Sequence, residues 1–147
     1  MNYYDVLSKE LAVGTEDLWR NVGAMPADKL TWKPAETSRT AQELIEEIVS
    51  ATVYNTAVLT TKTSADDAWV SVAGKSLKEL EQLQRAGVAE FLAAVKEFPE
   101  SEYTEQITLP WGAMTYFDVM SYNYWNLMYH IGQIAYIQTL YGDKEMH

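Results

Sequence analysis

Cysteine is absent from the chain, which excludes disulfides, thiolate nucleophiles and every Cys-ligated metal site. Histidine is almost absent: only His130 and the final residue, His147, are present. A centre needing three histidines from one chain is therefore arithmetically impossible. Basic residues are scarce, with 11 Lys and Arg against 21 Asp and Glu, for a net charge of −10 and a pI near 4.5. Such a surface repels phosphate backbones, so no nucleic-acid partner is expected. No run approaches the ~20 apolar residues of a membrane span, and no membrane partner is expected. The opening MNYYDVLSKE lacks the basic start and apolar run of a signal peptide, so the expected location is cytoplasmic. Phosphate loops, G-x-G-x-x-G, G-x-S-x-G and H-E-x-x-H are all missing.

What remains is an ordinary globular composition, 48% apolar and 22% charged over 147 residues. That length suits one domain, 1–147, able to hide about 70% of its unfolded surface. Four segments carry helix-start chemistry. Asn2 with Asp5 opens a helix running to about Val22, with Leu7, Leu11, Leu18 and Val22 at helical spacing. Pro26 and Pro34 then break the chain. Thr40 with Glu43 forms a capping box ahead of a helix ending near Thr61. Its apolar positions 44, 45, 48, 49 and 53 fit the helical period despite many β-branched residues. Ser76 with Glu79 opens a third helix that stops after Phe98 at Pro99. Thr115 with Asp118 opens a fourth, ending at Tyr141-Gly142. Long connections span roughly 62–75 and 99–114; in the second, EQITLPWG reads as a short extended piece closed by Pro110 and Gly112. Asp66-Asp67 and Glu100–Glu105 read as solvated loop charge. The fold class is all-α, a four-helix bundle with long connections.

In a bundle, function is built from polar side chains on interior rows. On the second helix, Leu44, Glu47, Ala51, Tyr54 and Val58 form one row, and Glu47 is its only ionisable member. Either Glu47 is paired or ligating inside, or it lies at the core's edge and reaches water. Glu46 falls instead beside Arg39, Glu43 and Ser50, on a solvent-like face. On the fourth helix, Val119, Asn123, Asn126, His130, Gln133 and Ile137 form a polar-interrupted row beside an apolar one of Phe117, Met120, Tyr124, Leu127, Ile131 and Ile134. Asn126 and His130, four apart, point the same way, a spacing shared by helical metal ligands and by hydrogen-bonded pairs. Glu47, Asn126 and His130, with Tyr54 and Asn123, are the candidate pocket residues. The tyrosines at 116, 122, 124, 129, 136 and 141 read as core and interface packing.

The segment LPWGAMTYFDVMSYNYWNLMYHIGQIAYIQTLYG, with LTWKPAETSRTAQELIEEI upstream, resembles the DinB-like/YfiT-like superfamily of bacterial four-helix bundles. The resemblance runs from about Leu11 to Gly142. It implies a divalent-metal site, with nickel or zinc held by three histidines, at positions that here carry Glu47, Asn126 and His130. Two of the three histidines are thus replaced. Glu and His are good ligands and an Asn carbonyl a weak neutral one, so any metal retained is expected to be of a harder type, such as manganese. The resemblance further implies a metal-dependent transferase using a low-molecular-weight thiol such as bacillithiol or mycothiol, and homodimers formed through helix faces, with Trp19 and Trp125 as interface groups. The competing expectation is a metal-free, non-catalytic binding or stress-related protein in which Glu47 and His130 form a structural polar pair.

Overall fold

All four expected helix starts form as capping boxes: Asn2 with Asp5, Thr40 with Glu43, Ser76 with Glu79, and Thr115 with Asp118. In each, the cap side chain accepts from the backbone N–H three residues on, and that residue's carboxylate accepts from the cap's N–H. The computed structural model describes residues 2–64 and 66–147, with the side chain of Asp66 outside the description. The four long helices are α1 (Tyr3–Ala24), α3 (Ala41–Thr61), α4 (Leu77–Glu97) and α5 (Tyr116–Leu140). The helix α1 runs past Gly23, and a one-turn helix α2 (Ala27–Leu30) follows Pro26. The expected extended piece is one arm of a hairpin, β1 (Gln106–Leu109) and β2 (Gly112–Thr115). Pro110 and Trp111 make its turn, and Gly112, at φ +132°, leaves the turn in a conformation that suits glycine. Short 3₁₀ turns occupy Asp66–Ala68 and Glu100–Glu102. The Asp66 side chain lies outside the described residues, Asp67 is exposed as expected, and Glu102 is paired with Lys62.

Around the bundle, α1 packs on α5 and α4, and α3 packs on α4 and α5. The links α1→α3 and α4→α5 therefore cross between diagonal helices, which needs long connections, whereas α3→α4 joins neighbours. Leu7, Leu11, Leu18 and Val22 are buried, as are Leu44, Ile45, Ile48 and Val49, with Val53 half-buried. Gly14 lets α1 approach α5 closely, since a Cβ there would meet Leu127 Cδ2 at 2.8 Å. Buried Gln84 joins α4 to α1, donating to Thr15 Oγ1 at 3.0 Å and accepting from Trp19 Nε1 at 3.1 Å. Trp19 is thus half-buried and engaged within the bundle.

On α5 the structure buries the polar-interrupted row as well as most of the apolar one. Val119, Asn123, Asn126, His130 and Ile137 are buried beside Met120, Leu127, Ile131 and Ile134, while Phe117 is exposed. Burying so many polar groups requires partners for them. Those partners define the site.

Candidate functional site

His130 is 2% exposed, and both ring nitrogens are engaged. Nε2 lies 3.1 Å from Glu47 Oε1, and Nδ1 lies 2.6 Å from Gln133 Oε1 on the next turn. Nε2 faces the carboxylate as a donor, and Nδ1 either donates to Gln133 Oε1 or, with the amide turned over, accepts from its NH2. Glu47 divides its oxygens, Oε1 to His130 and Oε2 to the Arg39 guanidinium. The Glu47 side chain keeps 27% exposure, so it is both paired and at the core's edge. Burial pushes its carboxyl up, but the Arg39 and His130 contacts together outweigh that and hold it below the usual carboxylate range.

Arg39 sits one residue before the α3 cap and reaches back over the first turn. Its Nη2 donates to the Glu43 carbonyl at 2.8 Å. The guanidinium stays exposed and lines one cleft with Glu43, Glu46 and Ser50, as its place beside them implied, but its tie to Glu47 was not expected. The eight-residue reach from a non-helical position cannot be read from helical spacing. Glu46 instead accepts from Gln42, and Ser50 is buried, its Oγ 2.7 Å from the Val70 carbonyl.

Asn126 is 2% exposed and lies beside the Tyr122 hydroxyl, one turn before it. Burial and the charge of Glu47 push that phenol above its ordinary range, and the Asn126 contact works against them. Tyr122 was read as packing, yet it faces the Glu47 end of the site; its i, i+4 relation to Asn126 was the available signal. Asn123 is buried between α3 and α5, where its Oδ1 accepts from Thr52 Oγ1 at 3.2 Å and Asn55 Nδ2 at 3.3 Å. Tyr54 is buried and donates to the Ser64 carbonyl. Glu47, His130, Asn126 and Tyr122 therefore make one cluster, while Asn123 serves a neighbouring α3–α5 contact and Tyr54 ties α3 to the loop that follows it.

A series of ring contacts runs round this cluster, from Trp69 through Tyr54, Trp111, Tyr122, Trp125 and Tyr129 to His130, with centroids 5.1–6.4 Å apart. The hairpin supplies Trp111, and α5 supplies the next three rings. Two cavities meet at Arg39. One, of about 430 Å³, is polar and includes Glu46, Glu47, Ser50 and Trp69; the other, of about 710 Å³, is mainly apolar and includes Leu44, Tyr129, Gln133, Tyr136 and Ile137.

The sequence profile of the DinB superfamily matches residues 10–134. The chain belongs to the DinB superfamily. Among solved structures, a DinB-like protein from Bacillus subtilis, YjoA, is 16% identical with a TM-score of 0.75, covering 96% of this chain and 95% of that one. YfiT from Bacillus subtilis, described as a probable metal-dependent hydrolase with an unusual four-helix bundle topology, is 11% identical at TM-score 0.73, with 97% and 90% covered. A mycothiol-dependent maleylpyruvate isomerase is 12% identical at TM-score 0.68; 90% of this chain spans only 61% of that protein. No curated protein matches the chain. At these identities the likeness establishes the fold.

The donor set can be tested against the metal implied by the superfamily. Ligands at ~2.1 Å on adjacent positions of an octahedral ion lie about 3 Å apart, and the 3.1 Å between His130 Nε2 and Glu47 Oε1 matches that. The remaining chemistry does not fit. The other oxygen of the single carboxylate is held by a guanidinium, whose charge opposes a dication beside it. The third position offers only a neutral amide, beside the Tyr122 hydroxyl. Among the described residues, no group of three or more His, Asp or Glu is placed to hold a metal ion.

Proposed function

We propose that this DinB-superfamily protein is a metal-independent, non-catalytic binding protein, in which Glu47 and His130 form a fixed polar pair beside a small-molecule cleft. The observation that carries this reading is the division of the Glu47 carboxylate between Arg39 and His130. Each carboxylate oxygen has a protein cation or ring donor, so the site is neutralised from within. The cleft of about 710 Å³ beside it offers mostly apolar walls, with Arg39, Gln133, Thr37 and Ser38 as polar groups for orienting a ligand. Its occupant on this reading is a small, largely apolar molecule with one hydrogen-bonding end.

Metal content of untagged protein, purified without chelator and then loaded with nickel, zinc or manganese, tests the first half. The reading predicts far less than one ion per chain under every condition. Fluorescence of anilinonaphthalenesulfonate tests the second half: it should rise on binding the folded protein and fall for Tyr136→Glu, an exposed change in the cleft wall. Stoichiometric metal lost in both Glu47→Ala and His130→Ala would overturn the reading.

A second reading is favoured by the 3.1 Å separation of Nε2 and Oε1, which would suit a metal if Arg39 moved aside. On that reading the chain is a divergent thiol-dependent transferase; YfiT is described as a probable metal-dependent hydrolase and the isomerase as mycothiol-dependent, which supports the metal and the thiol but not the reaction type. The same metal measurement separates the two.

A further inference from the structure

We infer that Arg39 is the resident cation of this site, and that its guanidinium is what keeps a divalent ion from the Glu47–His130 pair. The inference rests on the metal-independent reading and deepens it by naming the group responsible. Three observations support it. The guanidinium bonds to Oε2 of the same carboxylate whose Oε1 faces His130 Nε2. Its second nitrogen is tied to the Glu43 carbonyl, so it is held in place from two sides. The Arg39 side chain is 44% exposed and forms part of the wall of both cavities, so trimming it opens the pair to solvent without cutting into the core.

The electrostatics give the direction. A dication bound by Glu47 and His130 would share one carboxylate with a fixed positive charge. The pair would then have to neutralise three positive charges with one negative charge. Removing the guanidinium deletes that repulsion and frees Oε2 as an additional donor. The Nε2 to Oε1 spacing needs little adjustment to accept an ion. Even with the screening expected at a half-exposed position, loss of one unit charge a few ångströms away should tighten divalent binding at least about tenfold.

Isothermal titration with zinc chloride or nickel chloride alone is the test, applied to wild type, Arg39→Ala, Arg39→Gln and Arg39→Ala/Glu47→Gln. Arg39→Gln removes the charge while keeping an amide donor for the Glu43 carbonyl, which covers the case where the alanine variant loses its fold. The expected result is weak or absent binding to wild type, tightening of at least about tenfold in both single variants, and loss of that gain in the double variant. Unchanged affinity in folded Arg39→Ala and Arg39→Gln overturns the inference, as does a gain that survives Glu47→Gln. Wild type that already binds one ion through Glu47 and His130 overturns the metal-independent reading instead, so the two failures are distinct.

Discussion

Removing Glu47 should cost more stability than removing His130, although Glu47 is the more exposed of the two. In Glu47→Ala, His130 Nε2 stays buried with its acceptor gone, and a buried unsatisfied donor costs about 1–3 kcal/mol. Loss of the half-exposed Arg39 pair adds at most ~1 kcal/mol. The sum is about 1–4 kcal/mol, or roughly 2–16 °C in Tm for a chain of this size. In His130→Leu, Glu47 keeps Arg39 and its access to water, and leucine fills much of the ring's volume, so about 1 kcal/mol or less is expected. In the double variant the orphaned donor no longer exists, and most of the Glu47→Ala cost should disappear. Urea unfolding of all four proteins should therefore give a coupling energy of about 1–2 kcal/mol. Additivity within ~0.5 kcal/mol, or a larger cost for His130→Leu than for Glu47→Ala, would refute the reasoning.

Other consequences follow from the same contacts. Glu47 sits below its ordinary pKa, against the upward push of burial, because of Arg39 and His130. Glu43 is lowered chiefly by the Thr40 backbone N–H, and Glu79 and Asp118 chiefly by the hydroxyls of Ser76 and Thr115. Folded values below unfolded ones give stability that is complete above about pH 4.5 and lost as pH falls through the folded values, so Tm should decline from there toward pH 3. A flat Tm across that range would contradict the cap and pair assignments. Gly14→Ala gains up to ~1 kcal/mol of helix propensity but drives a methyl into Leu127 at the α1–α5 contact, for a net loss of about 1 kcal/mol by chemical denaturation. Phe91, fully buried on α4, should lose about 3–5 kcal/mol on replacement by alanine, read the same way.

The helices were legible because their starts are local. Each capping box needs only a Ser, Thr or Asn and an acid three residues on, and the pattern does not depend on tertiary contacts. The hairpin was half legible: Pro110 and Gly112 marked the turn, but four-residue strands carry too little alternation to show the second arm. The Glu47–His130 pair was legible as two polar interruptions on interior rows, and the contact at 3.1 Å joins them. Arg39 was not, because it lies outside the helix and reaches Glu47 through a turn whose path no periodicity describes. Tyr122 was hidden among tyrosines of similar spacing, and only its hydroxyl's position against Asn126 and Glu47 sets it apart.

The most direct measurement is a long-range proton–nitrogen correlation spectrum of the His130 imidazole, recorded with and without excess zinc. A proton on Nε2, donated to Glu47, with both ring nitrogens unmoved by the metal, is the result this account predicts. An unprotonated Nε2 that shifts on adding zinc, with the shift lost in Glu47→Gln, would place a metal where Arg39 now neutralises the site and would contradict it.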